Sequence, residues 1–254
     1  SDFVWAEAFG YAPSATRYNE TKTSPNASLI YQPLPWLTTY ATYIEGLQSG
    51  GVAPSTTLNA GAAMAPEVSE QYEVGIKASV GETLLTLALF NIDKPNAYTD
   101  ASNRYVQDGR QENNGLEFGV TGKATPELTL VGGFTLLDPE VKKSSVTANQ
   151  GQKPTNVASQ LAKLYAEYEI NAVPGLALSS GAYYTGKQYT DEANQHSLPS
   201  FTTFDAGARY RLPVADNDLT LRANLSNLAN KSYWLNSSYL GDPRTLTFSA
   251  QLEF

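Results

Sequence analysis

The chain has 254 residues, no cysteine and a formal net charge of -8 at pH 7. The absence of cysteine excludes disulfides and thiolate metal sites, and the acidic balance argues against a nucleic-acid partner, which needs a basic surface to neutralise phosphates. No stretch approaches the roughly 20 consecutive apolar residues of a membrane-spanning helix.

Alternating apolar and polar residues predict β-strands along most of the chain, because successive side chains of a strand point to opposite faces. In chain order the predicted strands are a weak one at Asp2–Phe9, then Ala27–Gln32, Leu37–Glu45, Tyr72–Val80, Thr83–Asp93, Leu116–Thr121, Leu128–Leu137, Ala162–Ile170, Leu176–Thr185, Phe204–Leu212, Leu219–Ser226 and Thr245–Phe254. The last is the clearest, and its length suits a strand that crosses a bilayer, which needs about 9–11 residues. We therefore predict about twelve strands and no helix.

Short and long connections take turns between these strands. The short ones are Gln32–Trp36, Ser79–Glu82, Lys123–Glu127, Asn171–Gly175 and Leu212–Asp218. Long polar loops are predicted at Gly46–Glu67, Asp93–Gln111, Asp138–Thr155 and Gly186–Ser200. A meander with tight turns at one end and long loops at the other is typical of an outer-membrane barrel, whereas the Greek-key connections of a soluble sandwich mix loop lengths.

One face of the predicted strands is apolar and the other carries isolated charges. The charged positions are Glu73, Lys77, Glu117, Lys163, Glu167, Asp205, Arg209 and Arg222. In a membrane barrel the apolar face contacts lipid and the charged face lines a wet interior. In a soluble sandwich, lectin or propeller fragment, the charged face would instead meet bulk water. The combined pattern favours an all-β fold, a transmembrane antiparallel up-and-down β-barrel.

Five segments resemble TonB-dependent outer-membrane siderophore receptors. They are Ser24–Leu47, Ser69–Ser79, Asn113–Asp138, Leu221–Trp234 and Gly241–Phe254, in the order expected for the carboxy-terminal part of such a barrel. The resemblance implies a place in the outer membrane of a Gram-negative bacterium and a role in importing ferric siderophores with energy from the TonB complex. It also implies that Fe³⁺ arrives inside its siderophore and is not coordinated by protein side chains.

The family resemblance further implies a 22-stranded barrel around an amino-terminal plug domain, contact with bilayer lipid and lipopolysaccharide, and a final aromatic residue read by the barrel-assembly machinery. Residues 1–254 show no plug, no motif for contacting TonB and about half the strands. We therefore expect one barrel domain, the carboxy-terminal portion, which reaches TonB through a plug that this chain lacks. The alternative is a small closed barrel, natural or engineered, with a passive or structural role.

Aromatic residues divide into two groups by position. Rings near strand ends or tight turns are expected at the membrane–water interface, which favours amphipathic rings; they are Trp36, Tyr40, Tyr43, Tyr168, Tyr210 and Phe254. Rings in or beside long loops, with two nearby arginines, are candidate ligand contacts, because stacking and guanidinium groups suit bulky, often anionic siderophores. These candidates are Tyr98, Tyr105, Arg110, Tyr189, Phe201, Tyr233, Trp234, Tyr239 and Arg244.

No catalytic or metal-binding group is predicted. The single histidine, His196, lies in a polar loop, and the sequence places no serine beside it for a Ser–His–acid arrangement. The acidic residues of Asp138–Glu140 and Ala215–Asp218 lack the spacing of a Ca²⁺ loop and suit turns. We therefore predict that the protein is not an enzyme.

Overall fold

The computed structural model describes residues 22–215 and 217–253. Its strands are β1 (Asn26–Leu34), β2 (Leu37–Gln48), β3 (Glu67–Val80), β4 (Glu82–Thr99), β5 (Tyr105–Lys123), β6 (Leu128–Lys143), β7 (Gln160–Glu169), β8 (Leu176–Thr185), β9 (Gln188–Tyr189), β10 (Ser197–Leu198), β11 (Phe201–Val214), β12 (Asn217–Ser226) and β13 (Thr245–Glu253). A 3₁₀ turn at Thr147–Asn149 is the one helical element in this part of the chain. None of its helices is long and apolar enough to cross a membrane.

Eleven strands form one antiparallel sheet with a simple up-and-down order, β1 to β8 followed by β11, β12 and β13. β9 and β10 form a separate two-stranded hairpin within a long connection. The eleven predicted strands that fall inside the described ranges are confirmed, whereas the one predicted at Asp2–Phe9 lies outside them. Apart from the hairpin, the described residues form no second sheet, so the double layer of a soluble sandwich is not found.

The connection between β4 and β5 corrects one of the predicted long loops. Most of Asp93–Gln111 is strand, because Asp93 pairs with Glu112 and the ladder continues, with an irregularity, to Thr99 opposite Tyr105. Only residues 100–104 connect the two strands. The sequence hides this extension because both faces of the hairpin are polar there, so the alternation that marks the rest of each strand disappears. The other long loops are confirmed, although each is trimmed by neighbouring strands.

Apolar side chains of neighbouring strands share one face of the sheet. Leu89 lies opposite Leu116, and Phe248 lies opposite Ala223. These side chains are exposed, by 54% for Leu89 and 74% for Phe248. A continuous exposed apolar face of this size is not a stable surface in water, and it suits contact with lipid.

The opposite face of the sheet carries polar residues and little side-chain bulk. The predicted charged residues share it; for example, Arg209 Nη2 reaches across β8 to Glu167 Oε1 at 2.5 Å. Most strand glycines lie on this face as well, since their register partners are on it; they are Gly75, Gly115, Gly119, Gly133, Gly181 and Gly207. The two faces therefore differ in both charge and bulk.

β1 and β13 are the two edges of the described sheet. β1 pairs only with β2, and β13 pairs only with β12. Because the strands alternate in direction and there are eleven of them, the two edge strands run the same way. Direct pairing of β13 with β1 would therefore be parallel, unlike every other pair in the sheet.

Candidate functional site: the long-loop end of the sheet

Two long connections at one end of the sheet are joined by asparagine side chains. Asn59 forms a two-way bridge to the backbone of Tyr105: its Nδ2 donates to the carbonyl at 2.9 Å, and its Oδ1 accepts from the amide at 2.8 Å. Asn103 adds a bond from its Nδ2 to the carbonyl of Thr56 at 3.1 Å. The loop of residues 49–66 is therefore held against residues 99–105.

Three further connections form what we call the three-loop cluster, residues 144–159, 186–200 and 227–244. Asn156 links all three, because its backbone amide donates to the carbonyl of Tyr189 at 2.8 Å and its side-chain Oδ1 accepts from the backbone amide of Ser237 at 2.8 Å. Buried Gln188 donates to the carbonyl of Leu235 at 3.2 Å. The cluster therefore has a defined shape although little of it is regular secondary structure.

Asn194 closes the contact between the first two loops of the cluster. Its Oδ1 accepts from the amide of Lys153 at 2.8 Å, and its Nδ2 donates to the carbonyl of Lys153 at 2.9 Å. Nearby, the Asp191 carboxylate accepts from the amides of Gln195 and His196. These backbone bonds, with a contribution from the His196 side chain, lower the pKa of Asp191 below its ordinary value and keep the carboxylate ionised.

Sequence reasoning did not identify these asparagines. Asn156 and Asn194 both adopt left-handed backbone conformations, with φ of 60° and 57°. Asparagine tolerates this region better than most residues, and its side chain imitates a backbone amide. The available signal was the presence of asparagine in long loops, but the sequence does not show which backbone groups each one reaches.

The predicted ligand contacts in and directly beside the cluster divide into packed and exposed rings. Phe201 is 7% exposed and stacks on Tyr233, with ring centroids 4.2 Å apart. In contrast, Trp234 is 47% and Tyr239 67% exposed. The packed pair supports the cluster from within, and the exposed pair is free to contact a ligand.

Tyr189 and Arg244 also belong to this end of the sheet. Tyr189 is half-buried, and Lys187 Nζ lies 4.5 Å from its ring centroid. Arg244 is exposed, and its backbone amide donates to Asn230 Oδ1 at 3.1 Å. The cationic group of Lys187 is thus paired with the aromatic face of Tyr189.

The remaining candidates lie on or beside the β4–β5 hairpin. Tyr98 lies in β4 and is paired with Val106 in β5. Tyr105 lies under residues 49–66, with its hydroxyl near Gly51. Arg110 has its Nη2 2.5 Å from Asp93 Oδ2 and shares the face of Leu116, because both alternate in register along β5. That ion pair and position disfavour Arg110 as a ligand contact.

The chain is similar to known proteins that have an apolar outer face, a polar inner face and long loops at one end. A family model described as "TonB dependent receptor-like, beta-barrel" matches residues 2–228. The chain belongs to the TonB-dependent receptor family. Its relatives are receptors and transporters and not enzymes. TonB-dependent siderophore receptors are β-barrels of the Gram-negative outer membrane, so the apolar face of the sheet faces lipid and the polar face is lumenal.

Two relatives and one solved structure illustrate the similarity. The ferrichrome receptor FcuA of Yersinia enterocolitica is 34% identical over 257 residues, which cover 96% of this chain and 34% of that protein. The metal-pseudopaline receptor CntO of Pseudomonas aeruginosa is 29% identical, with coverage of 96% and 35%. The crystal structure of BauA, the ferric preacinetobactin receptor from Acinetobacter baumannii, is 38% identical with a TM-score of 0.81, covering 91% of this chain and 36% of that one. The chain thus spans about a third of the length of these TonB-dependent receptors.

A row of five carboxylates crosses the lipid-facing side of the receptor sheet on the long-loop side of its apolar band. Glu45 lies opposite Glu70, Glu70 opposite Asp93, Asp93 opposite Glu112, and Glu112 opposite Glu140. We call these residues the acidic row. Sequence reasoning missed it because its members come from five strands and become neighbours only through the register. Five charged groups together are not stable in hydrocarbon. The row therefore marks where the lipid-contacting surface ends on the long-loop side.

The predicted interface aromatics that face lipid lie towards both ends of the sheet. Trp36, Tyr168 and Tyr210 are exposed by 50%, 48% and 37% at the tight-turn end, as expected for an interfacial girdle. Tyr43 packs against Tyr72 beside the acidic row, with tilted rings whose centroids are 4.9 Å apart, and Tyr72 was not predicted. Phe254 lies outside the described residues.

Tyr40 does not belong to the interfacial girdle in which it was predicted. Its hydroxyl donates to Glu73 Oε1 at 2.6 Å, and its strand partner is Gly75, which places the ring on the lumenal face. The prediction was wrong because it used the distance from a strand end and ignored the alternation, in which Tyr40 falls between Thr39 and Ala41 on the other face.

Proposed function

We propose that this chain is the carboxy-terminal barrel portion of an outer-membrane receptor that captures ferric siderophores at its long loops and imports them with energy from the TonB complex. The proposal treats residues 1–254 as one barrel domain. Fe³⁺ is cargo, coordinated by the siderophore. Contact with TonB is made by a plug domain of the same receptor, and the lipid-facing side contacts the bilayer and lipopolysaccharide.

The exposed pair Trp234 and Tyr239, held out by the three-loop cluster, is the observation that carries this proposal. Exposed aromatic rings on a pre-formed scaffold bind flat or bulky ligands without a large ordering cost. The supporting contacts come from Asn156, Gln188 and the stacked ring of Tyr233. The names of similar receptors, which include ferrichrome, preacinetobactin and metal–pseudopaline, support a metal–chelate ligand as a class.

The proposal is tested by binding and uptake in cells that express the complete receptor. Ferric hydroxamate, ferric catecholate and mixed-ligand siderophores labelled with radioactive iron are compared, with and without a functional TonB complex. We expect one class to bind and to enter only when TonB works. Trp234→Ala should raise its Kd about tenfold, the loss of one well-placed aromatic contact.

Trp36→Ala is the matched control, because Trp36 has similar exposure but lies at the tight-turn end. It should leave binding unchanged. Saturable binding that no loop substitution weakens would contradict the role of the cluster. TonB-independent entry of all small solutes, with steady ion conductance across a planar bilayer, would instead favour the passive barrel.

A further inference from the structure

Two lumenal aromatic rings lie along the barrel wall because a glycine faces each of them on the next strand. Tyr40 is paired with Gly75, and a Cβ added to Gly75 would fall 2.5 Å from both Cζ and the hydroxyl oxygen of Tyr40. Such a distance is too short for any real contact, so only glycine permits this ring position. The far end of the ring therefore rests on the neighbouring backbone instead of pointing into the lumen.

Other contacts hold Tyr40 in this position. Its hydroxyl bonds to Glu73, whose second oxygen accepts from Gln71 Nε2 at 3.0 Å. Lys77 Nζ lies 5.2 Å from the ring centroid, within the range of a cation–π contact. The ring is thus fixed against the wall by a carboxylate at its tip and by a cation over its face.

Phe90 repeats the arrangement on the next pair of strands. It is paired with Gly115, and a Cβ at Gly115 would lie within 2.7 Å of Phe90 Cε1 and Cε2 and closer still to Cζ. Phe90 also neighbours Glu73 across β3 and β4, so the two ring–glycine pairs adjoin one another. Two large side chains therefore lie flat on adjoining parts of the lumenal wall.

We propose that Gly75 and Gly115 are positioning residues for transport, because they keep the rings of Tyr40 and Phe90 out of the lumen through which the siderophore must pass. The inference rests on the proposed function. A β-carbon at either glycine would force the ring into a rotamer that projects from the wall. Glycine in a strand interior weakens the strand, and at these two positions its missing Cβ leaves the space that the ring occupies.

The test separates binding from passage in the complete receptor. Gly115→Ala and Gly75→Ala should leave the Kd of the imported siderophore within about twofold, because the loops are untouched, while the initial uptake rate falls about fivefold or more, as for a step gated by conformation. Gly119→Ala is the matched control. It lies on the same face of β5, but an added Cβ there would meet Thr86 Oγ1 and no ring.

A double variant distinguishes a ring that blocks the lumen from a general distortion of the strand. Removing the displaced ring in Gly115→Ala/Phe90→Ala should restore uptake toward that of the unaltered receptor, whereas a distorted strand would stay slow. Three outcomes would overturn this inference and leave the proposed function intact. They are unchanged uptake in both single variants, a double variant as slow as Gly115→Ala, and binding that falls in step with uptake. An unaltered receptor that imports none of the siderophores would overturn the proposed function, and this inference with it.

Discussion

At the scale of single residues, Glu70 occupies an unusual position in the acidic row. It lies opposite Glu45 on one side and Asp93 on the other, so like charges face it across both neighbouring strands. Asp93 is neutralised by Arg110. Directly opposed like charges destabilise a sheet by a few tenths of a kcal/mol, up to about 1 kcal/mol.

Glu70→Gln should therefore stabilise the folded receptor by about 0.2–1 kcal/mol. The gain should be larger at low ionic strength, because salt screens charges at a surface. Thermal unfolding in detergent micelles, followed by loss of β-sheet signal at low and high NaCl, measures both effects. A variant that melts earlier than the parent at low salt would contradict the repulsion.

Glu112→Gln provides the comparison within the same row. Glu112 accepts from Asn91 at 3.0 Å and from Asn114 at 2.8 Å, and Lys142 Nζ lies 3.8 Å away. These partners stabilise the charged form of the Glu112 carboxylate. Its neutralisation should lower the melting temperature, the opposite sign to Glu70→Gln, although the two substitutions are chemically identical.

At the scale of elements, the sequence predicted strands better than it predicted the loops. Alternation located β13 and assigned Leu246 and Phe248 to the apolar face, because the lipid-facing pattern is written locally in every second residue. It did not locate the β4–β5 extension, where both faces are polar. Nor could it locate the ties of Asn156 and Asn194, which depend on distant backbone groups that folding brings together.

The three-loop cluster should behave as one unit, and Asn194 is the residue to test. Asn194→Gly keeps the left-handed backbone but removes both bonds to Lys153. We expect faster amide hydrogen exchange at residues 144–159, which carry no substitution, because local opening becomes easier when such bonds are lost. Asn194→Ala should show the same effect and add backbone strain, and unchanged exchange at residues 144–159 would contradict the coupling.

At the scale of the whole molecule, the two sheet edges set a condition on barrel closure. β1 and β13 run in the same direction, so an antiparallel barrel needs an odd number of further strands between them. The sequence left two barrels open, part of a 22-stranded one and a small closed one. It could not say whether the closing strands lie in this chain, because a weak pattern such as Asp2–Phe9 does not reveal its partner.

Amide exchange at the edges tests which barrel forms. If the remaining wall of the receptor supplies the partners, the amides of β1 and β13 should exchange faster than those of β4 and β5 in this chain alone. In the complete receptor they should be protected to a similar degree, because each edge is then hydrogen-bonded on both sides. Strong protection of both edges in the isolated chain would instead indicate the small closed barrel.

The ties within the three-loop cluster have a consequence for how such a receptor can change over evolutionary time. The side chain of Asn156 accepts from the backbone amide of Ser237, its own backbone amide donates to the carbonyl of Tyr189, and the side chain of Gln188 donates to the carbonyl of Leu235. A main-chain atom is the same whatever side chain follows it. Mutations that replace the neighbouring exposed side chains can therefore accumulate without dismantling the scaffold, because the donor and acceptor atoms of the main chain stay in place.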